Sequence, residues 1–599
     1  MNRSQHRRSF DGFIVGIVFA AVVMDLTLGY AGLSAYSTAQ KEGWDALDIG
    51  YKSLQILLMS GPSLKPPIPW MLHTARFLGS AIELSFAFWI VLRLVPDAWQ
   101  MLLYRFPFGR KRVIVCGSGE LAEHLAQQAQ CQHKRVLVID PLCNASQRQI
   151  LRQQGMVGME GDPRLPELLN LALLHRSERL IAATESDADN LAIAGAAHKW
   201  LAGAKGGQHE VTCHLLIADH ALRAELNDHL RRTKHSGRCR TIVGDLNQPL
   251  AAARQALADH PLDFLPIREG DTTIAHLIVV GTGQNAQALA LHAAQIAHFA
   301  NEVKGDHRLH LTIATPEESL YQAVLADHPA LASVCDLDCL LLPASRAERI
   351  ASLSGCCRPD ELISFAFALD GALNDGNNLS YALSLRAALQ KPPQLEQLKA
   401  PPQILIHQST ERGPVAYFQQ QQPSSSGVAL HFFGMVEHCM QWDSLFHERI
   451  DQRAEAIHKK YNEKHAAENY PAWGALSEDD RNANRQAAGH ISVKLRALGV
   501  HVEPLDHRRE RVTEFLPQER DLLAQMEHLR WNAGKLLAGW QWGSVSDKPN
   551  KINKCICSWD QLPADEKDKD YEQIDLIPQV LHDTGWGIYR LPRKDSYDA

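Results

Sequence analysis

The period of apolar positions changes several times along the chain. Gly12 to Leu33 is apolar almost throughout, long enough for one helical crossing of a bilayer, with Asp25 as its only charge. A second apolar stretch, Phe77 to Val95, carries Glu83 and Arg93. The pattern sets two spans at about 12–34 and 75–96 and a re-entrant segment at about 48–66. In that segment Tyr51 to Met59 reads as a short amphipathic helix, broken at Ser60-Gly61-Pro62-Ser63. A signal peptide does not fit the first stretch: the run is too long, no small-residue cleavage site closes it, and a second span follows. Arg3, Arg7 and Arg8 precede the first span, and Arg105, Arg110, Lys111 and Arg112 follow the second. The positive-inside rule puts both flanks, and so both termini, in the cytoplasm of a bacterial inner membrane. The loop of Ser34 to Ala75 is then extracytoplasmic or re-entrant. Asp25, Glu83, Ser60 and Gly61 are the membrane residues of interest, because ionisable groups within spans face a bundle interior, a cavity or each other.

Beyond residue 110 the pattern becomes short β-branched strands alternating with helical stretches, the signature of a parallel α/β sheet. Arg112 to Cys116 runs into Gly117-Ser118-Gly119-Glu120-Leu121-Ala122, a helical stretch, and a second strand, Arg135 to Ile139, that ends in Asp140. This is a dinucleotide-type turn, with glycines for the tight bend and the close approach of a pyrophosphate, and an acid about twenty residues on for ribose hydroxyls. Gly161-Asp162, a strand Arg179 to Thr184, and Asp187-Ala188-Asp189-Asn190 follow. A second unit starts near Thr273. His276 to Val280 leads into Gly281-Thr282-Gly283-Gln284, but the next strand, Leu309 to Ala314, ends in Thr315-Pro316 with no acid. This copy is expected to be structural or to bind something else. Gln403 to His407 and Val428 to Phe433 are expected to finish its sheet. Gln419 to Gly427 reads as a flexible surface loop.

From about 441 the chain turns helix-rich. An amphipathic run from Ile450 precedes Ser477-Glu478-Asp479-Asp480, read as a capping box, and a helix expected to end at Gly499. Leu523 to Gly543 then holds Glu527-His528, Trp531, Lys535 and Gly539-Trp540-Gln541-Trp542-Gly543, with Leu562 to Asp570 further on. Trp531, Trp540 and Trp542 with His528 and Lys535 are candidates for an aromatic-walled pocket. Arg481, Arg485 and Lys494 are candidates for phosphate contacts. Tryptophan's burial habits favour core roles for Trp531 and Trp540.

Composition narrows these readings. The 599 residues imply several domains, and a net charge of −7 gives no pull toward nucleic acid. The twelve cysteines follow no framework, so free thiols are expected. Cys356-Cys357 and Cys555-Ile556-Cys557 have no partner pair at metal-finger spacing, and no metal is expected. No nucleophile–base set stands out, and the chain is not expected to be an enzyme.

Two segments resemble known families. Gly-rich turn, acid after strand two, Gly161-Asp162 and Asp187-x-x-Asn190 stand in the order found in regulator-of-potassium-conductance (RCK, TrkA-N type) domains, over roughly Arg112 to Ala224. The resemblance implies a cytosolic ligand-sensing domain beneath a membrane pore, with NAD(H), an adenine nucleotide or an ion as ligand and homo-oligomeric assembly, dimer or tetramer, through these units. The membrane segment's helix, short helix, loop and helix resemble a potassium-channel pore unit, but Ser60 to Ser63 stands where a TVGYG strand is required. The C-terminal motifs resemble the ryanodine-receptor repeat (RyR) domain. The expected organisation is a membrane domain (1–110), a first Rossmann-like RCK unit (111–265), a degenerate second unit (266–440) and a mainly α-helical RyR module (441–599). The leading reading is a ligand-gated, channel-like membrane effector that couples a nucleotide-type signal to the bilayer segment. A non-conducting anchored scaffold and an anchored NAD-dependent oxidoreductase are the alternatives.

Overall fold

The computed structural model describes residues 3–94, 96–105, 111–203, 210–232, 238–243, 246–305, 307–371, 374–390, 395–411, 427–442, 449–464, 471–473, 476 and 478–590. Arg110, the loop residues 419–426 and the expected cap Ser477 lie outside them. The chain divides into two units, residues 1–108 and 109–599.

The first unit is helical. Helix Arg3–Gln40 is longer than the expected span, and within it Val18–Gln40 is long and apolar enough to cross a membrane. It is the one such segment among the described residues. The second expected span falls on helix Trp70–Leu94. The intervening helix begins earlier than Tyr51, at Ala46, because Asp45 caps it by accepting the backbone N–H of Asp48. It ends at Leu57, and Ser60 closes its last turn through its N–H to the carbonyl of Gln55. Leu33, Tyr36, Ile49, Ile56, Leu72 and Ala75 form the core between the three helices. The helices approach closely at small residues: a Cβ on Gly32 would lie 2.7 Å from Leu72, and one on Gly79 would lie 3.1 Å from the backbone of Leu57. Asp25 is fully buried, whereas Glu83 is partly exposed.

The second unit holds two six-stranded parallel sheets. The first contains β1 (Arg112–Cys116), β2 (Arg135–Asp140), β3 (Val157–Glu160), β4 (Ser177–Ala182), β5 (Val211–Leu215) and β6 (Cys239–Val243), in the order β3-β2-β1-β4-β5-β6. This is the doubly wound dinucleotide-fold order. The second contains β7 (Ile274–Val280), β8 (His310–Thr315), β9 (Asp336–Leu341), β10 (Glu361–Phe367), β11 (Gln403–His407) and β12 (Ala429–Phe433), in the order β12-β11-β10-β7-β8-β9. Counted from its own first strand, this is the same order. Strands β1, β7, β10 and β11 are buried over most or all of their length, as expected for sheets covered on both faces.

The C-terminal module packs helices Arg449–Lys464, Glu478–Ala497, Pro517–Leu537 and Ala564–Asp583 with an antiparallel pair, Val500–Pro504 against Trp586–Arg590. Gly499, at a φ of +67°, follows the second of these helices as a C-terminal stop. One hydrophobic core runs from Val113 of the first sheet through Leu277 of the second to Leu523 and Ile588 of this module. A buried charge cluster sits within it. Glu527 accepts from Lys494 Nζ at 2.5 Å and from Arg530 Nη2 at 2.5 Å. Burial alone would raise the Glu527 carboxyl, but Arg530 and Lys494 hold it well below the usual range. Beside it, His490 reaches the carbonyl of His298 in the second α/β unit at 3.0 Å.

Replacing Glu527 by Gln leaves two buried cations unpaired. The expected cost is about 3–5 kcal/mol, read as a lower melting temperature of the detergent-solubilised protein. Because its folded-state pKa is depressed, the stability Glu527 contributes is complete above the unfolded value, about 4.3, and is lost as pH falls below it. Glu527→Gln removes that acid-limb contribution.

Candidate functional site

The first Gly-rich turn is open at its helix start. Gly117 has a φ of +118°, and a Cβ there would lie 2.5 Å from the carbonyl of Ala183, so only glycine fits between β1 and β4. Gly119 caps helix Glu120–Cys131 without a side-chain bond, and nothing stands within 4 Å of where its Cβ would be. The helix N-terminus therefore opens on free space, the arrangement that accepts a phosphate. Ser118 and Glu120 are exposed at the rim, and Leu121 packs against the core. Asp140 ends β2 in a largely buried position, and its Oδ1 accepts the N–H of Leu142 at 2.7 Å. Gly161 follows β3 at a φ of +150° and donates its N–H to the Asp140 carbonyl.

Arg164 holds Asp162 by two guanidinium contacts of 2.9 Å and also reaches Asp189 at 2.8 Å. The Arg164 bond keeps the Asp162 carboxyl below the ordinary range. Asp162 thus anchors Arg164, a cation that sequence reading missed because no motif marks it. The Asp-x-x-Asn segment is architectural. Asp187 accepts the N–H groups of Ala218 and Asp219, each at 2.9 Å, while buried Asn190 bonds Thr184 and the carbonyl of Leu216.

The second turn is filled from within. Gly281 has a φ of +125°, but a Cβ on Gly283 would lie 2.0 Å from a carboxylate oxygen of Asp370. That carboxylate accepts the N–H groups of Gln284 and Asn285 at 2.5 and 3.1 Å and the side chain of Asn285 at 2.8 Å. It occupies the place a phosphate takes at such a helix start. Gln284 also donates its side-chain amide to the carbonyl of Ala218, which follows β5 of the first sheet.

A cleft of about 660 Å³ lies where the two sheet units and the C-terminal module meet. Trp531, Lys535 and Trp540 line it with Arg223, Arg254, Arg530 and Lys551, and Asp327 is the single acid among the lining residues. The Lys535 ammonium sits 5.6 Å from the Trp531 ring centroid and 4.6 Å from that of Trp540. Trp531 and Trp540 are therefore cleft walls, not the core anchors expected of them; Trp559 and Trp586 pack against the core instead. Trp542 is 63% exposed and lines nothing here. His528 is buried, with its ring nitrogens on the Cys557 carbonyl and, at 3.3 Å, on Asp570. Arg481 and Arg485 lie off the cleft, Arg485 buried beside Asn482, and Lys494 is committed to Glu527. The twelve cysteines are free thiols.

Residues 113–208 match the TrkA-N domain family, and residues 502–590 match the RyR domain family. Similar solved structures include GsuK bound to ADP (12% identity, TM-score 0.35, 75% of this chain and 100% of that one) and the GsuK channel bound to NAD (12%, 0.34, 85% and 89%). Another is the A chain of dipicolinate synthase from Bacillus subtilis (9%, 0.20, 54% and 89%). No curated protein matches the chain.

Asp370→Ala removes the carboxylate cap of helix Gln284–Ile296. It is expected to cost about 1–2 kcal/mol locally. Hydrogen–deuterium exchange of the peptide beginning at Gln284 reads this as faster exchange, with the helix that starts at Glu120 unchanged.

Proposed function

We propose that the protein is a nucleotide-responsive regulator at a membrane, in which a ligand such as NAD(H) or an adenine nucleotide binds the first Gly-rich turn and biases the state of the N-terminal helical segment. One observation carries this reading: the helix start at Gly119 is open beside Asp140, whereas the equivalent start in the second unit is capped by Asp370. The open turn offers backbone N–H groups and a helix dipole to phosphates, and Asp140 offers a carboxylate oxygen to ribose hydroxyls. The TrkA-N match over the same residues and the apolar segment Val18–Gln40 support it. The proposed action is binding without turnover, in a homo-oligomer seated in the inner membrane with the sheet units in the cytoplasm. Regulation requires the ligand to bind two states of the protein with different affinity. Whether the membrane segment conducts ions or serves as an anchor is decided by flux.

The cleft supports a second ligand position. Five cations against one acid, with two tryptophan faces, suit a ligand that carries both phosphate and a flat ring. The cleft touches all three parts of the second unit, so occupancy there would bear on their packing.

Binding of NAD(H), ATP, ADP and ADP-ribose to the full-length protein in detergent separates these positions by thermal shift. Gly119→Asp places a carboxylate at the open turn and is expected to abolish a first-turn shift. Trp540→Ala is expected to weaken cleft binding by about 1–2 kcal/mol. No shift with any of the four ligands would sink the nucleotide-responsive reading. A shift without ligand-dependent ion flux in proteoliposomes would favour an anchored scaffold.

A further inference from the structure

The second sheet carries a polar cluster unrelated to its Gly-rich turn. Adjacent strands β7 and β8 pair His276 directly with His310, and β10 pairs Glu361 with Ile274, two residues before His276. Strand alternation therefore sends His276, His310, Thr312 and Glu361 to one face. Ile278, Val280, Ile363 and Phe365 make that face apolar. The cluster lies at the N-terminal ends of these strands, the opposite sheet edge from Gly281 and Asp370.

The two imidazoles stack with centroids 3.8 Å apart. His276 Nδ1 stands 2.7 Å from one Glu361 oxygen, and His310 Nδ1 stands 3.3 Å from the other. One donor atom from each of the three residues lies within 4.8 Å of the other two. The remaining ring nitrogens are also held: His276 Nε2 is 2.8 Å from the Thr312 hydroxyl, and His310 Nε2 is 2.9 Å from the Asp338 carboxylate.

We propose that His276, His310 and Glu361 form a binding site for one first-row divalent cation of the zinc class, with Thr312 and Asp338 orienting the two imidazoles. Two imidazoles and a carboxylate are a donor set that suits zinc and its neighbours rather than magnesium or calcium. Ligating histidines characteristically have their outer nitrogen fixed by a carboxylate or another polar group, as both are here. Donors on a tetrahedral ion at about 2.0–2.2 Å are separated by roughly 3.3 Å, and the two rings, inclined by only 14° where they stack, must turn out of the stack for both Nδ1 lone pairs to converge on one ion. Without an ion, both Nδ1 atoms must carry protons to face Glu361; a divalent ion takes the place of those protons. Access runs past His310 to Asp338, whose side chain is 63% exposed on the edge strand β9. A bound ion would clasp three strands whose ligands are far apart in sequence.

The test uses the full-length protein in detergent, stripped with chelator and dialysed against Zn(II) or Co(II). The expected result is about one ion per chain, with X-ray absorption showing nitrogen and oxygen donors that include two imidazoles. His310→Gln and Glu361→Gln should each lose the ion while keeping the wild-type circular dichroism spectrum. Substoichiometric metal in the wild type, sulfur donors in its X-ray absorption, or an ion retained by both variants would overturn the site. Should either variant misfold, the wild-type stoichiometry and donor set decide alone.

Discussion

The packing of the large unit turns on a carboxylate that cannot reach water. Glu527 lies at the centre of the C-terminal module with Lys494 and Arg530 on its oxygens, and each of these charges costs several kcal/mol to bury on its own. The three are tolerable only together, so helices Glu478–Ala497 and Pro517–Leu537 are fixed in one register against each other. The neighbouring contact of His490 with the His298 carbonyl carries that register into the second sheet unit. The bidentate pair of Arg496 with Asp263 adds a further tie, to the segment between the two sheets. A module that would otherwise be an appendage is thereby held to the α/β units by directional bonds as well as by apolar surface.

This explains why the cleft has its composition. Trp531 and Lys535 come from the same helix that supplies Glu527 and Arg530, Trp540 follows the end of that helix, and Arg223 and Arg254 reach the cleft from the first sheet unit. Residues separated by more than three hundred positions meet there because the charge cluster sets how the helix is turned. Arg530 belongs to both places, pairing with Glu527 on one side and lining the cleft on the other.

Much of the fold was legible from local pattern. Strands such as Arg112 to Cys116 and Gln403 to His407 are short apolar runs bounded by turn residues, and the structure places them where the pattern did. The first Gly-rich turn was also legible, because its chemistry is contiguous. What escaped was supplied by distant positions. Asp370 reaches the second turn from eighty-six residues away in sequence, and Arg164 is an unremarked surface-type residue until Asp162 and Asp189 converge on it. The three ligand candidates in the second sheet come from three strands, and only the strand register aligns them. The tryptophans escaped for a related reason: average burial describes the residue type, whereas the cleft that Trp531 and Trp540 line is assembled from distant parts of the chain.

The cap at Asp370 has a further consequence for the pair of sheets. A carboxylate tethered in place acts at an effective concentration of about millimolar or more, independent of conditions in the cell. A free phosphate compound approaching Gly283 must compete with that permanent occupant, and dilute metabolites would lose. The two helix starts therefore differ in kind: the one at Gly119 stands open to whatever its surroundings offer, while the one at Gly283 is already filled by its own chain and does not vary with them.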